Sequence, residues 1–121
     1  MTSSRDLAIV AARSASSKKA EDIVVMDVRS LIGITDFFVL ASGTNDRQVR
    51  TIAEEVQRAL RNQDVKPVRR EGEREGRWVL LDYVDIVVHV FHAEEREFYS
   101  LERLWADAPV LPWQDRAASS G

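Results

Sequence analysis

A chain of 121 residues is the size of one domain, and its 45% hydrophobic content is enough to bury one core beneath a surface that is 31% charged overall. No apolar run approaches the about 20 residues that span a bilayer, and the stretch from Met1 to Arg13 has no long apolar region ahead of a small-residue cleavage site, so neither a membrane span nor a secretory leader is expected. The absence of cysteine excludes disulfides, thiolate metal sites and cysteine nucleophiles, and fits a cytoplasmic protein. Net charge is −3 and the isoelectric point about 5.4. Phosphate-driven nucleic-acid binding draws on a basic excess. Little direct nucleic-acid contact is therefore expected, and any action near RNA falls to a protein partner or a few local arginines.

In chain order, the alanine-rich segment from Arg5 to Lys18 reads as a helix with Leu7, Val10 and Ala11 on its apolar face. Ile23 to Val28 reads as a strand, Leu31 to Thr35 as a turn around Gly33, and Asp36 to Ser42 as a second strand. That second strand is nearly all apolar, which places it centrally and covers both its faces. Ser42 to Asp46 breaks it, with Thr44, Asn45 and Asp46 as candidate helix caps. From Arg47 to Gln63 the apolar residues Val49, Ile52, Ala53, Val56 and Leu60 recur at helical spacing, the clearest amphipathic pattern in the chain. Val65 to Arg70 reads as an edge strand because Pro67 lacks an N–H. After the polar loop from Glu71 to Arg77, Trp78 to Leu81 and Asp85 to Phe91 form an antiparallel pair. Glu94 to Ala106 is the last helix, with Phe98, Leu101 and Trp105 on one face. The fold class is α/β in the mixed α+β sense: a single mixed five-stranded sheet flanked by helices, in the order α-β-β-α-β-β-β-α. The domain covers 1–110, and 111–121 is expected as a frayed tail.

Few chemistries find their residues. His89 and His92 are three apart, but at the end of a strand their side chains alternate, which argues against joint metal ligation. Ser42-Gly43-Thr44-Asn45 lies between a strand and a helix, yet matches neither the phosphate loop nor the dinucleotide fingerprint. Asp27, Asp36, Asp82 and Asp85 lie on or beside strands. A magnesium-dependent nucleotidyltransferase-like reaction would need Asp27, Asp36 and Asp82 to converge on one metal position. With no Gly-x-Ser-x-Gly elbow and the two histidines close together, a nucleophilic triad is not expected. Lys66, Arg69 and Arg70 run directly into Glu71, Glu73 and Glu75, the alternation of a solvated loop. No cofactor and no metal are called for. Trp78 and Tyr83, at the margin of a sheet, are of the residue types enriched in protein-binding hot spots.

The series Trp78-Val79-Leu80-Leu81-Asp82-Tyr83, then His89-Val90-Phe91, then Arg96-Glu97-Phe98-Tyr99-Ser100-Leu101-Glu102-Arg103-Leu104-Trp105 is long and ordered. Together with Thr35-Asp36-Phe37-Phe38-Val39 and Arg47-Gln48-Val49, it resembles the RsfS (Iojap/YbeB) family of ribosomal silencing factors over roughly Leu7 to Val110. The resemblance implies a nucleotidyltransferase-like fold without known catalysis. It also implies binding to protein L-fourteen of the large ribosomal subunit, a steric block to small-subunit joining, repression of translation under starvation, and a homodimer in the free state. Organelle relatives assist large-subunit assembly, which leaves an assembly factor as an alternative. One departure stands out: the family usually has glycine where this chain has Val84, and a β-branched residue does not take positive φ cheaply. A turn of different type is expected there.

The expected contact residues are Trp78, Leu80, Asp82, Tyr83, Asp85 and His89, where the family signature is densest and polar residues interrupt the apolar pattern. The aspartates would pair with basic groups on the partner. The alternative is that Trp78 and Leu80 are core, and that Asp82 and Asp85 only shape a turn.

Overall fold

The computed structural model describes residues 3–31, 33–99 and 106–114. The elements are α1 (Ser4–Ser17), β1 (Glu21–Asp27), β2 (Phe37–Gly43), α2 (Asp46–Arg61), β3 (Arg69–Glu71), β4 (Trp78–Asp82), β5 (Ile86–His92) and α3 (Ala93–Tyr99), in the order expected. They form one five-stranded sheet, β1-β2-β5-β4-β3. The central pair β2–β5 is parallel and the other pairs are antiparallel. A parallel pair requires a long connection, here supplied by α2 and the β3–β4 hairpin.

Strand alternation separates two faces. Val25, Phe37, Val39, Ala41, Val79, Leu81, Ile86, Val88 and Val90 join the α1 and α2 stripes in the main core. The stripe expected of α2 is buried as read, with Val49, Ile52, Ala53, Val56 and Leu60 all inside. The buried face of α1 is smaller than Leu7, Val10 and Ala11 implied: Ala8, Ala11, Ala12 and Ala15 lie flush against the core, and Val10 is only partly buried. On the opposite face Met26, Val28, Leu40, Phe91 and Ala108 form a second cluster, joined by the partly buried Val24, Phe38 and Trp78.

The cap of α2 is Asn45, whose side chain accepts from the Gln48 N–H at 2.8 Å. Gln48 in turn accepts from the Thr44 N–H and donates to the carbonyls of Lys18 and Lys19, which ties the end of α1 to the start of α2. Gly43 is needed there, since a Cβ would meet the Val49 side chain at 3.0 Å and its backbone nitrogen at 3.1 Å.

Three expectations are corrected. β3 is the shorter segment Arg69–Glu71, because Val65 serves the end of α2, where its N–H donates to the Leu60 carbonyl. Of the tail expected over 111–121, residues 111–114 are held against β1, and the rest lies outside the described residues. The Asp27 N–H donates to the Pro109 carbonyl and the Leu111 N–H to the Val25 carbonyl, Trp113 donates its indole N–H to the Ile23 carbonyl, and Arg13 donates to the Trp113 carbonyl. This segment covers the outer edge of β1, which would otherwise offer unpaired backbone groups. Third, Val84 does take positive φ, at 74°. The end of the last expected helix, with Leu101 and Trp105, lies outside the described residues.

Candidate functional site

Among the described residues, the densest aromatic cluster lies on the face of the sheet opposite α1 and α2. Register sets Trp78 beside Phe91, Leu80 beside His89 and Asp82 beside Val87 across β4–β5. Phe38 stands beside Val87 and Leu40 beside His89 across β2–β5. The Trp78 and Phe91 rings lie 4.9 Å apart, His89 stacks on Phe91 at 6.0 Å, and Phe38 meets His89 edge-on at 5.0 Å. The Trp78 indole N–H donates to His89 Nδ1 at 3.2 Å. Nδ1 is thereby the acceptor, and the neutral ring carries its proton on Nε2. Burial lowers the His89 pKa to about 4, so the ring is neutral near pH 7.

Beside this cluster lies a groove of about 340 Å³ lined by Ile34, Thr35, Phe38, Arg69, Leu80, Asp82, Val84, Val87 and His89. Ile34 is 81% exposed and Val84 53%, unusual for large apolar side chains. A second hollow on the same face, between Glu71, Gly72, Trp78 and Leu80, shares Leu80 with the first.

The groove's end wall is the β4–β5 turn. The Tyr83 N–H donates to the Ile86 carbonyl, and the Asp85 N–H donates back to the Tyr83 carbonyl at 2.9 Å. With Val84 at φ 74°, this is the strained form of the γ-turn. Asp82 Oδ1 accepts from the Val84 N–H at 2.8 Å and holds the turn closed. The Asp85 carbonyl accepts from the Asp36 and Phe37 N–H groups and so fixes the start of β2.

Of the six expected contact residues, Trp78, Leu80, Asp82 and His89 share this face. Asp85 is exposed at its end. Tyr83 is not brought to it: the side chain is 6% exposed within the core on the helix side, where burial pushes its pKa up to about 12. The period of two along β4 puts it opposite Asp82. Ile34, Thr35, Phe38 and Val87 line the groove unforeseen. The available signal was Ile34 itself, a large apolar residue beside Gly33 in a turn.

The aspartates do not converge. Asp27 is bound by Arg29 in a 2.6 Å ion pair, and that hydrogen bond holds its carboxyl below the usual range. Asp36 accepts from the Ser4 hydroxyl at 2.7 Å. Asp82, on β4, is separated from β1 by two strands. Among the described residues no three His, Asp or Glu side chains are grouped to hold a metal. His92 alternates away from His89: its Nδ1 accepts from the Glu94 N–H at the start of α3. Beyond it Arg77 donates to Glu94, Glu95 and Asp46. Arg96 donates to the Ser42 hydroxyl at 3.0 Å. These bonds fix α3 at the far end of the sheet from the groove. No described helix is long and apolar enough to cross a membrane.

The sequence model of the family described as "Ribosomal silencing factor during starvation" matches residues 1–120. The chain is similar to the ribosomal silencing factor RsfS of Halalkalibacterium halodurans, with 40% identity over 90% of this chain and 93% of that protein. It is 34% identical to the chloroplastic protein Iojap of Arabidopsis thaliana, over 91% of this chain and 47% of that one. A crystal structure of a protein from Chromobacterium violaceum superposes with a TM-score of 0.83 at 33% identity, over 86% of this chain and 87% of that one. With its sequence matched over 1–120 by the family model, the chain belongs to the RsfS family of ribosomal silencing factors.

Proposed function

We propose that this protein docks through the face of its sheet opposite α1 and α2 onto protein L-fourteen of the large ribosomal subunit, and that the docked body keeps the small subunit from joining. The observation that carries the reading is the groove with its exposed rim residues Ile34 and Val84, beside the Trp78–His89–Phe91 cluster. Such a face combines an aromatic anchor with polar groups at its margin, the anatomy of a protein interface. Asp82 and the exposed Asp85 supply negative charge at one end, suited to a basic partner surface of the kind ribosomal proteins present.

The action requires no bond to form or break. A rigid body of 13.7 kDa at the subunit interface excludes its competitor by volume. Repression therefore follows occupancy, set by affinity and concentration, and rises under starvation as the ratio of factor to free subunits rises. The site of action is the cytoplasm. The free protein is expected as a homodimer, since an exposed apolar face favours self-association; gel filtration measures it.

Sedimentation with separated subunits tests the reading. The wild type should travel with the large subunit alone. Ile34→Asp places a charge on an 81% exposed rim position whose side chain supports no part of the fold, and should weaken binding by at least about tenfold. Unimpaired binding by that variant would move the docking face elsewhere.

A further inference from the structure

We infer that a small hollow on the helix side of the β3 edge binds a phosphate group, held by Arg61, Lys66 and Arg70. The hollow, of about 210 Å³, is lined by Gln57, Arg61, Val65, Lys66, Pro67 and Arg70. It shares no residue with the docking groove. Its lining carries three cations and no carboxylate, in a chain whose net charge is −3. In sequence Lys66, Arg69 and Arg70 form one run, but the strand divides them. Across β3–β4, Arg69 stands beside Asp82 and Arg70 beside the buried Leu81. Arg69 therefore turns to the groove and Arg70 to the helix side. There Arg70 meets Arg61, from the last turn of α2, and Lys66, from the link that follows.

The fold leaves these cations available. The carbonyls at the end of α2 are already bonded: that of Arg58 accepts from the Asn62 N–H, that of Leu60 from the Gln63 and Val65 N–H groups, and that of Arg61 from the Asp64 N–H. Neither Arg61 nor Lys66 is needed as a cap, and neither has a side-chain hydrogen bond or ion pair among the described residues. Arg70 is the fixed member. Its Nη1 donates to Gln57 Oε1 at 3.3 Å and its Nε lies 3.6 Å from Glu73. The buried Gln57 is itself held by donating to the Ala53 carbonyl and to Glu73. Glu73 offsets one of the three charges and leaves an excess of two, which matches a phosphate group. All three cations can be reached: Arg61 and Lys66 are exposed, and the Arg70 side chain is 56% exposed. Burial raises the Tyr83 pKa to about 12, and the charges of Arg61 and Arg70 both act against that rise. Two guanidinium groups borne by a helix and a strand thus stand near one point. Like charges so placed repel, and a bound anion relieves the repulsion. One guanidinium fork satisfies a carboxylate, whereas donors from three segments suit the several oxygens of a phosphate. The group has two possible sources: the RNA backbone beside the docked protein, around the β3 edge from the groove, or a soluble phosphate compound.

The double variant Arg61→Gln, Lys66→Gln tests this. Both side chains are exposed and make no bond within the fold, so its melting temperature should match the wild type. A control, Arg5→Gln with Arg47→Gln, removes the same charge at exposed positions elsewhere. Inorganic phosphate is titrated into each protein and followed by amide NMR, against chloride at equal ionic strength. In the wild type and the control the amides of Arg61, Val65, Lys66 and Arg70 should shift and saturate, and in the double variant the affinity should fall about tenfold. In parallel, affinity for purified large subunits is measured across a range of salt concentrations. If the phosphate is that of RNA, the slope of log affinity against log salt should be shallower by about 1 in the double variant and unchanged in the control. Saturable phosphate binding with equal slopes upholds the site and assigns it to a soluble phosphate compound. No phosphate-specific shift in the wild type together with equal slopes overturns the inference, as does an equal loss in the control. A wild type that binds no large subunit overturns the docking reading alone, and the phosphate titration then decides this inference.

Discussion

His89 stands at the floor of the groove as a neutral ring, and its environment has a consequence for stability. Burial depresses its folded pKa to about 4, against about 6.5 in the unfolded chain. Between those values the unfolded state binds the additional proton, so stability rises with pH across the window and is fully present above about 6.5. As the pH falls from about 6.5 to about 4, the histidine should remove on the order of 3 kcal/mol. Urea melts at a series of pH values measure the slope, and His89→Phe should lose it. Val84 illustrates a different cost. At φ 74° a β-branched residue is held in a region that favours glycine, with its side chain 53% exposed and little burial to offset the strain. Val84→Gly should stabilise the fold by about 0.5–1 kcal/mol, read as a shift in the urea midpoint at unchanged slope. A loss of stability would mean that Val84 packs on its neighbours more tightly than its exposure indicates.

At the scale of elements, the ends of α1 and α2 share one device. The Ala20 N–H returns to the Ala15 carbonyl and the Lys19 N–H to that of Ser16, with Lys19 at φ 64°. The Val65 N–H likewise returns to the Leu60 carbonyl, with Asp64 at φ 61°. Both are Schellman endings with a non-glycine residue in the left-handed position. Neither stop carries the usual glycine signal, which is why the sequence placed both helix ends a residue or two late while reading the α2 stripe correctly. At position 72 glycine is required: a Cβ on Gly72, at φ 79°, would lie 2.0 Å from the Trp78 carbonyl oxygen. Gly72→Ala should cost at least about 2 kcal/mol and unsettle the β3–β4 hairpin that presents Trp78; thermal melts and tryptophan fluorescence report both. Period-two and helical patterns made the sheet and α2 legible because they are local. The cover of β1 by Pro109 to Leu111 was not legible, since it pairs segments more than eighty residues apart and begins at a proline that reads as a stop.

On the scale of the whole molecule, the layering explains what the protein presents to others. Two helices seal one face of the sheet, and α3 lies toward one end of the other face, where its Arg96 donates to the Ser42 hydroxyl. The groove and its aromatic cluster lie at the β4–β5 turn end of that face. The part of this site carried by β4 was legible from sequence, because Trp78, Leu80 and Asp82 alternate on one strand. Tyr83 was misassigned to it, although the same alternation sends that side chain into the helix-side core. Ile34, Thr35, Phe38 and Val87 come from a turn and two neighbouring strands, and only tertiary pairing assembles them. Occupancy of this face, rather than turnover, is the proposed basis of action. The most direct measurement is a subunit-joining titration, in which purified protein is added to separated ribosomal subunits and the joined fraction is read by light scattering. The account predicts that joining falls as the protein approaches equivalence with the large subunit, and that Ile34→Asp displaces the curve to at least about tenfold higher concentration. A joined fraction that stays constant at saturating protein, or falls equally with both forms, would contradict it.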